Sequence, residues 1–139
     1  MDLLWRLPEE LQGRILSYTY RPQSETLCED IRNFVETKQE LLQKYHHYWI
    51  VRLGMSYPTD RYWIFNDLFY YANHYNQSLF GYSDLFYQVF QRGYGLDQRD
   101  TVDRFVRKLG KKALDTQINV LLGLFTPEQR DELCTTRII

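Results

Sequence analysis

The chain has little of what marks most specialised classes of protein. Its 139 residues include two cysteines, four prolines, seven glycines and three histidines, and no apolar run is longer than the six residues from Val120 to Phe125. A membrane-spanning helix needs about 20 apolar residues, so none is predicted. The opening Met1-Asp2-Leu3-Leu4-Trp5-Arg6 has neither a basic start nor a long apolar stretch, which predicts no secretory leader. Two distant cysteines, Cys28 and Cys134, in an unsecreted chain read as reduced core residues rather than a bridge. Seventeen basic against 18 acidic residues leave a net charge of −1, so no chain-wide field draws the protein onto nucleic acid or anionic lipid. Any such binding has to be local.

Recognisable catalytic chemistry is also missing. Gly93-Tyr94-Gly95 is followed by no Lys-Ser or Lys-Thr pair and is preceded by no strand pattern, so it reads as a turn rather than a phosphate loop. No serine sits in a nucleophile-elbow context. His46 and His47 point about 100° apart on a helix, and neither has a histidine or carboxylate four residues away, so they read as partly exposed helix residues without a metal. His74, inside an aromatic stretch, reads as a core histidine satisfied by Tyr or Asn neighbours. The expectation is a non-enzymatic protein with no cofactor and no metal.

What the chain has is aromatic bulk and helical spacing. Apolar residues make up 44% of it and aromatics 17%, with 12 Tyr, 8 Phe and 3 Trp, a composition that excludes disorder and predicts one folded domain over residues 1–139. A chain of this size hides about two-thirds of its unfolded surface. No segment alternates with period two between hairpin turns, so the fold class is all-α, with about seven or eight helices.

Pro8, Glu9 and Glu10 suit a helix start, and Leu7, Leu11, Ile15 and Leu16 give it an apolar stripe; Pro22 predicts its end near Tyr20. Ser24 caps a stretch without Gly or Pro up to Gly54, read as one long helix with Thr37 as the place for a bend. The segment YWIFNDLFYYANHY is apolar or aromatic on every face, which predicts a central helix buried on most sides. Tyr82, Leu85, Phe86, Val89 and Phe90 predict the next helix, ending at Arg92-Gly93, and Val102, Phe105, Val106 and Leu109 another before Gly110. Leu114, Ile118, Leu121, Leu122 and Phe125 form one more stripe, and Thr126-Pro127-Glu128-Gln129 combines an N-cap, a first-position Pro and a capping-box Gln for the last helix.

The clearest charge feature is RFVRKLGKK, where Arg104, Arg107, Lys108, Lys111 and Lys112 place five cations in nine positions. As a solvated helix end it needs no ligand, because cations near a helix C-terminus are favoured by the dipole. As a site it would take phosphate, of nucleic acid or of an acidic partner, blunted by the flanking Asp97, Asp100, Asp103 and Asp115.

The segment LPEELQGRILSY resembles the opening of an F-box, in which a Leu-Pro pair begins a helix with Leu, Ile and Leu at these spacings. With the following EDIRNF, ETK, GYSDLF and GLFTPEQR stretches, the chain is similar to short F-box-like proteins of large nucleocytoplasmic DNA viruses. The resemblance implies a viral interaction module in the infected host cell or the virion, with residues 7–20 docking a Skp-type ubiquitin-ligase adaptor. Leu7, Pro8, Leu11, Ile15 and Leu16 would face that partner, with Trp5 beside them as an aromatic anchor. If the helix instead folds back onto the long helix, Leu7, Leu11 and Ile15 are core and no partner reaches them. A virion component wedged between capsid proteins is the other structural role, and it predicts several exposed tyrosines.

Overall fold

Local chemistry sets several helix ends where the sequence carries the residues for it. The computed structural model describes the backbone of residues 6–16, 25–77 and 81–135 and the side chains of all of these but 13–16. Within that range the chain is all-α: α1 (Glu9–Leu16), α2 (Glu25–Tyr45), a π-helical segment (His46–Arg52), α3 (Thr59–Ala72), α4 (Asp84–Tyr94), α5 (Arg99–Leu109), α6 (Leu114–Leu124) and α7 (Pro127–Thr135). The capping box of α7 forms as its residues predict. The Gln129 amide donates to Thr126 Oγ1 at 3.2 Å and the Thr126 amide to Gln129 Oε1 at 2.9 Å. Ser83 caps α4 by accepting from the Phe86 amide at 3.2 Å. The predicted starts at Ser24 and the end near Tyr20 lie outside the described residues.

The axis of the fold is α6, on which α1, α2, α3 and α4 all pack. Its residues from Gln117 to Leu122, and Leu124, are buried, more than the single stripe predicted from its sequence. Enclosure on several sides also buries two polar residues, and each finds a partner: Gln117 Nε2 donates to the Lys112 carbonyl at 2.8 Å, and Asn119 Nδ2 to Glu10 Oε1 at 3.1 Å. Two glycines let neighbours approach. A Cβ on Gly93 in α4 would lie 2.6 Å from a Leu124 methyl, and one on Gly123 in α6 would lie 2.8 Å from a Leu11 methyl. Gly93 therefore sits inside α4 as a packing residue, and the helix ends two residues beyond the predicted Arg92-Gly93 stop, at Gly95 with φ 64°.

Three further expectations are corrected. The long helix runs without a break through Thr37, which is buried; the regular helix widens into π turns after Tyr45, where the Leu53 amide donates to the Tyr48 carbonyl. The aromatic helix α3 is central in its neighbours, packing on α2, the π segment, α4 and α6, but it buries one stripe only. That stripe is Asp60, Ile64, Leu68 and Ala72 at four-residue spacing, and Tyr62, Trp63 and Tyr70 face solvent. His74 is not a core histidine: it is exposed at φ 53° in the turn that ends α3. The polar anchor of that turn is its neighbour Asn73, fully buried, which donates to the Asn76 and Gly81 carbonyls and accepts from the Ser83 amide at 2.7 Å.

Candidate interaction surfaces

The N-terminal helix is turned inward. Leu7 and Leu11 are only 4% and 5% exposed, and Leu11 fills the space over Gly123. The Asn119 to Glu10 hydrogen bond holds α1 to the same helix, and Gln12 Nε2 donates to the Leu7 carbonyl at 2.7 Å, closing the turn at Pro8. This corrects the expected docking role of Leu7 and Leu11, because an apolar side chain already buried in its own core has no surface to give a partner. The alternative in which Leu7 and Leu11 are core holds, with α1 packed on α6 rather than on the long helix. Pro8 is half-buried. Trp5 and the side chains of Ile15 and Leu16 lie outside the described residues.

The basic residues are where their spacing puts them. Arg104, Arg107, Lys108, Lys111 and Lys112 are all exposed, while Val102 and Leu109 of the same helix are buried. Arg104 and Arg107 share a surface cleft of about 370 Å³ with Asp100 and Asp103.

A surface that the sequence reading missed lies where the π segment turns into α3. Val51, Leu53, Met55, Tyr57, Tyr62 and Trp63 are each at least 40% exposed, and Tyr57 reaches 71%. The scaffold beneath is ordered by stacking: Trp49 in the π segment lies flat on Trp63 of α3, with ring centroids 4.7 Å apart and 2° between planes, and Tyr48 meets Trp49 edge-on at 5.2 Å. π turns are short and locally strained elements found often at functional positions. Here the widened helix sets Trp49 against α3 and leaves the following residues to turn outward. The signal available in the sequence was Val51, Leu53, Met55 and Tyr57 alternating with polar or small residues around Gly54, just where the helical stripe loses its period.

One cluster of ionisable groups lies nearby. Asp60 is 2% exposed in the first turn of α3, with His46 Nδ1 at 3.7 Å and Arg61 Nε at 3.9 Å from its Oδ2. The imidazole is beyond hydrogen-bonding distance, so the pair is no proton relay. Arg61 continues to Asp115 at 3.5 Å, which Lys38 approaches at 3.8 Å; burial pulls the Lys38 ammonium below its ordinary range, with Asp115 opposing. Among the described residues no group of three or more His, Cys, Asp or Glu side chains could hold a metal.

Asp67 yields a pH prediction. It accepts from the Tyr45 hydroxyl at 2.7 Å, and burial raises its carboxyl above the ordinary range while that hydrogen bond opposes the rise. A raised carboxyl keeps its proton in the folded chain at a pH where the unfolded chain has lost it. Stability therefore falls as pH climbs from the ordinary carboxylate range through the raised value, and levels off above it. Asp67→Asn retains an acceptor for Tyr45 and cannot ionise. Urea unfolding is expected to show the variant gaining on the parent as pH climbs above the ordinary carboxylate range; a stability difference that is flat with pH would contradict this.

Comparison of the chain with protein-family models, with curated proteins and with solved structures finds no match. None of the described helices is long and apolar enough to cross a membrane.

Proposed function

We propose that the chain is a non-enzymatic protein–protein interaction module whose contact surface is the exposed ledge from Val51 to Trp63. One observation carries this reading: large apolar and aromatic side chains point outward over one stretch of chain, beside the stacked Trp49 and Trp63. Exposed aromatics of this kind become the buried anchors of protein interfaces. The N-terminal resemblance suggests a viral protein and a Skp-type adaptor as the partner. Adaptor docking through Leu7 and Leu11 would require α1 to leave α6, so the ledge is the surface that binds without such a cost. A second reading, a virion component between larger capsid proteins, draws on the exposed Tyr57, Tyr62, Tyr70 and Tyr75.

Photo-crosslinking tests the proposal without disturbing the core. A benzophenone amino acid replaces Tyr57 or Tyr62, or Gln88, which is exposed on α4, in cells that express the chain. Positions 57 and 62 are expected to give the same discrete crosslinked protein and position 88 none. Mass spectrometry of that band then separates an adaptor from a capsid protein. Equal labelling at all three positions, or none at 57 and 62, would refute the ledge as the contact surface.

A further inference from the structure

We propose that Lys108, Lys111 and Lys112, at the end of α5 and in the turn after it, form a binding site for the phosphate backbone of double-stranded nucleic acid. The proposal is independent of the ledge and rests on a different element. Arg104, Arg107 and Lys108 follow i, i+3, i+4 spacing on one face of α5, Lys111 and Lys112 follow in the turn beyond its end, and all five are exposed. Three ammonium groups within five residues can neutralise about three phosphates of a duplex.

Two features that would make this an ordinary solvated helix end are answered by the geometry. The ammonium groups are not needed to cap the helix, because the Val106, Lys108 and Leu109 carbonyls already accept the amides of Gly110, Lys111 and Lys112 at 2.9 to 3.1 Å. The flanking carboxylates are mostly committed elsewhere. Asp115 faces Arg61 and Lys38, and Asp103 accepts from the Tyr87 hydroxyl at 2.9 Å. Asp100 and Asp103 share their cleft with Arg104 and Arg107, which leaves that half of the stripe mixed in charge and the three lysines unopposed. Among the described residues none of the three lysines is ion-paired. The backbone that carries them is fixed by the Gln117 hydrogen bond to the Lys112 carbonyl.

The surroundings select the ligand. No large apolar or aromatic side chain of α5, α6 or α7 is exposed among the described residues. There is thus no platform on which unstacked bases of a single strand would lie, and no apolar face to enter a bilayer. Lysine is depleted in protein interfaces, whereas a phosphate backbone asks for point charges and reads no sequence.

Fluorescence anisotropy with the full chain and a labelled 20-base-pair DNA duplex is the test. Binding is expected to be indifferent to sequence and to weaken roughly 40-fold between 50 and 200 mM salt, as about three released counterions require. The triple variant Lys108→Gln, Lys111→Gln, Lys112→Gln is expected to lose at least tenfold at low salt with a flatter salt slope. Each single substitution should lose a few-fold, which guards against a folding artefact in the triple. Lys44→Gln, whose parent side chain is paired with Glu40 on α2, should bind as the parent does. No saturable binding at 50 mM salt, a triple variant that binds normally, or tighter binding to polyglutamate or to vesicles of anionic lipid would each overturn the proposal.

Discussion

Leu11→Asp is expected to destabilise the folded chain by about 4 kcal/mol or more and to lower the thermal midpoint by roughly 12 to 20 °C. The magnitude follows from where Leu11 sits. Its methyl groups occupy the notch over Gly123 on α6, and the residue is 5% exposed. The substitution removes about 2 kcal/mol of apolar burial and forces a carboxylate into an apolar notch, or forces it to take up a proton. A domain of this size has only about 5 to 15 kcal/mol of stability to lose. An F-box-like helix that presented Leu11 to a partner would give the opposite pattern, a binding defect with the midpoint essentially unchanged. Differential scanning calorimetry of the variant therefore separates a core helix from a docking helix without knowledge of any partner.

Arg130→Ala is expected to cost about 3 kcal/mol, a large effect for a charged residue. Arg130 in α7 is 3% exposed. Its Nε donates to the Leu122 carbonyl at 2.9 Å, one guanidinium nitrogen reaches the backbone and side-chain oxygens of Asp30 and the Asn33 Oδ1, and the guanidinium lies over the Phe34 ring at 5.4 Å. One side chain thus ties α7 to the end of α6 and to α2. Truncation leaves the Leu122 carbonyl with only a long 3.4 Å bond from the Phe125 amide and opens a hole beside Phe34. Arg130→Lys should recover only part of the loss, since a single ammonium cannot hold the planar fork on both helices. Denaturant unfolding of the two variants gives the ranking; an Arg130→Ala variant within 1 kcal/mol of the parent, on the order of a surface substitution, would contradict it.

The parts of this fold that were legible in the sequence are those written into local chemistry. The capping box at Thr126 and Gln129, the inward stripe of α5 and, apart from the exposed Leu85, the periodicity of α4 need only neighbours within one or two turns, and the structure has them. What could not be read is which of several apolar faces a neighbour covers. α3 offers aromatics all round, and only the side toward α2, α4 and α6 is taken, so Tyr62, Trp63 and Tyr70 are left outside. α6 and its C-cap show five apolar stripe positions in sequence, yet the helix is enclosed on more sides than one, which buries Gln117 and Asn119 as well. The π turns at His46–Arg52 go with Trp49 meeting Trp63, a contact between elements that no local pattern announces. The same limitation explains the N-terminal helix. A Leu-Pro start with Leu11 four residues after Leu7 describes a docking stripe and a core stripe equally well, and the small residue that decides between them, Gly123, lies in α6 at the far end of the chain.

The central claim is that, among the described residues, the ledge offers a partner exposed apolar side chains while Leu7 and Leu11 at the first helix are core. Hydroxyl-radical footprinting of the full chain, alone and in the complex that crosslinks at position 57, measures it directly. The account predicts heavy labelling of Met55, Tyr57, Tyr62 and Trp63 in the free chain and their protection in the complex, with Leu7 and Leu11 protected in both. Labelling of Leu7 and Leu11 in the free chain that disappears in the complex, with the ledge unchanged, would contradict it.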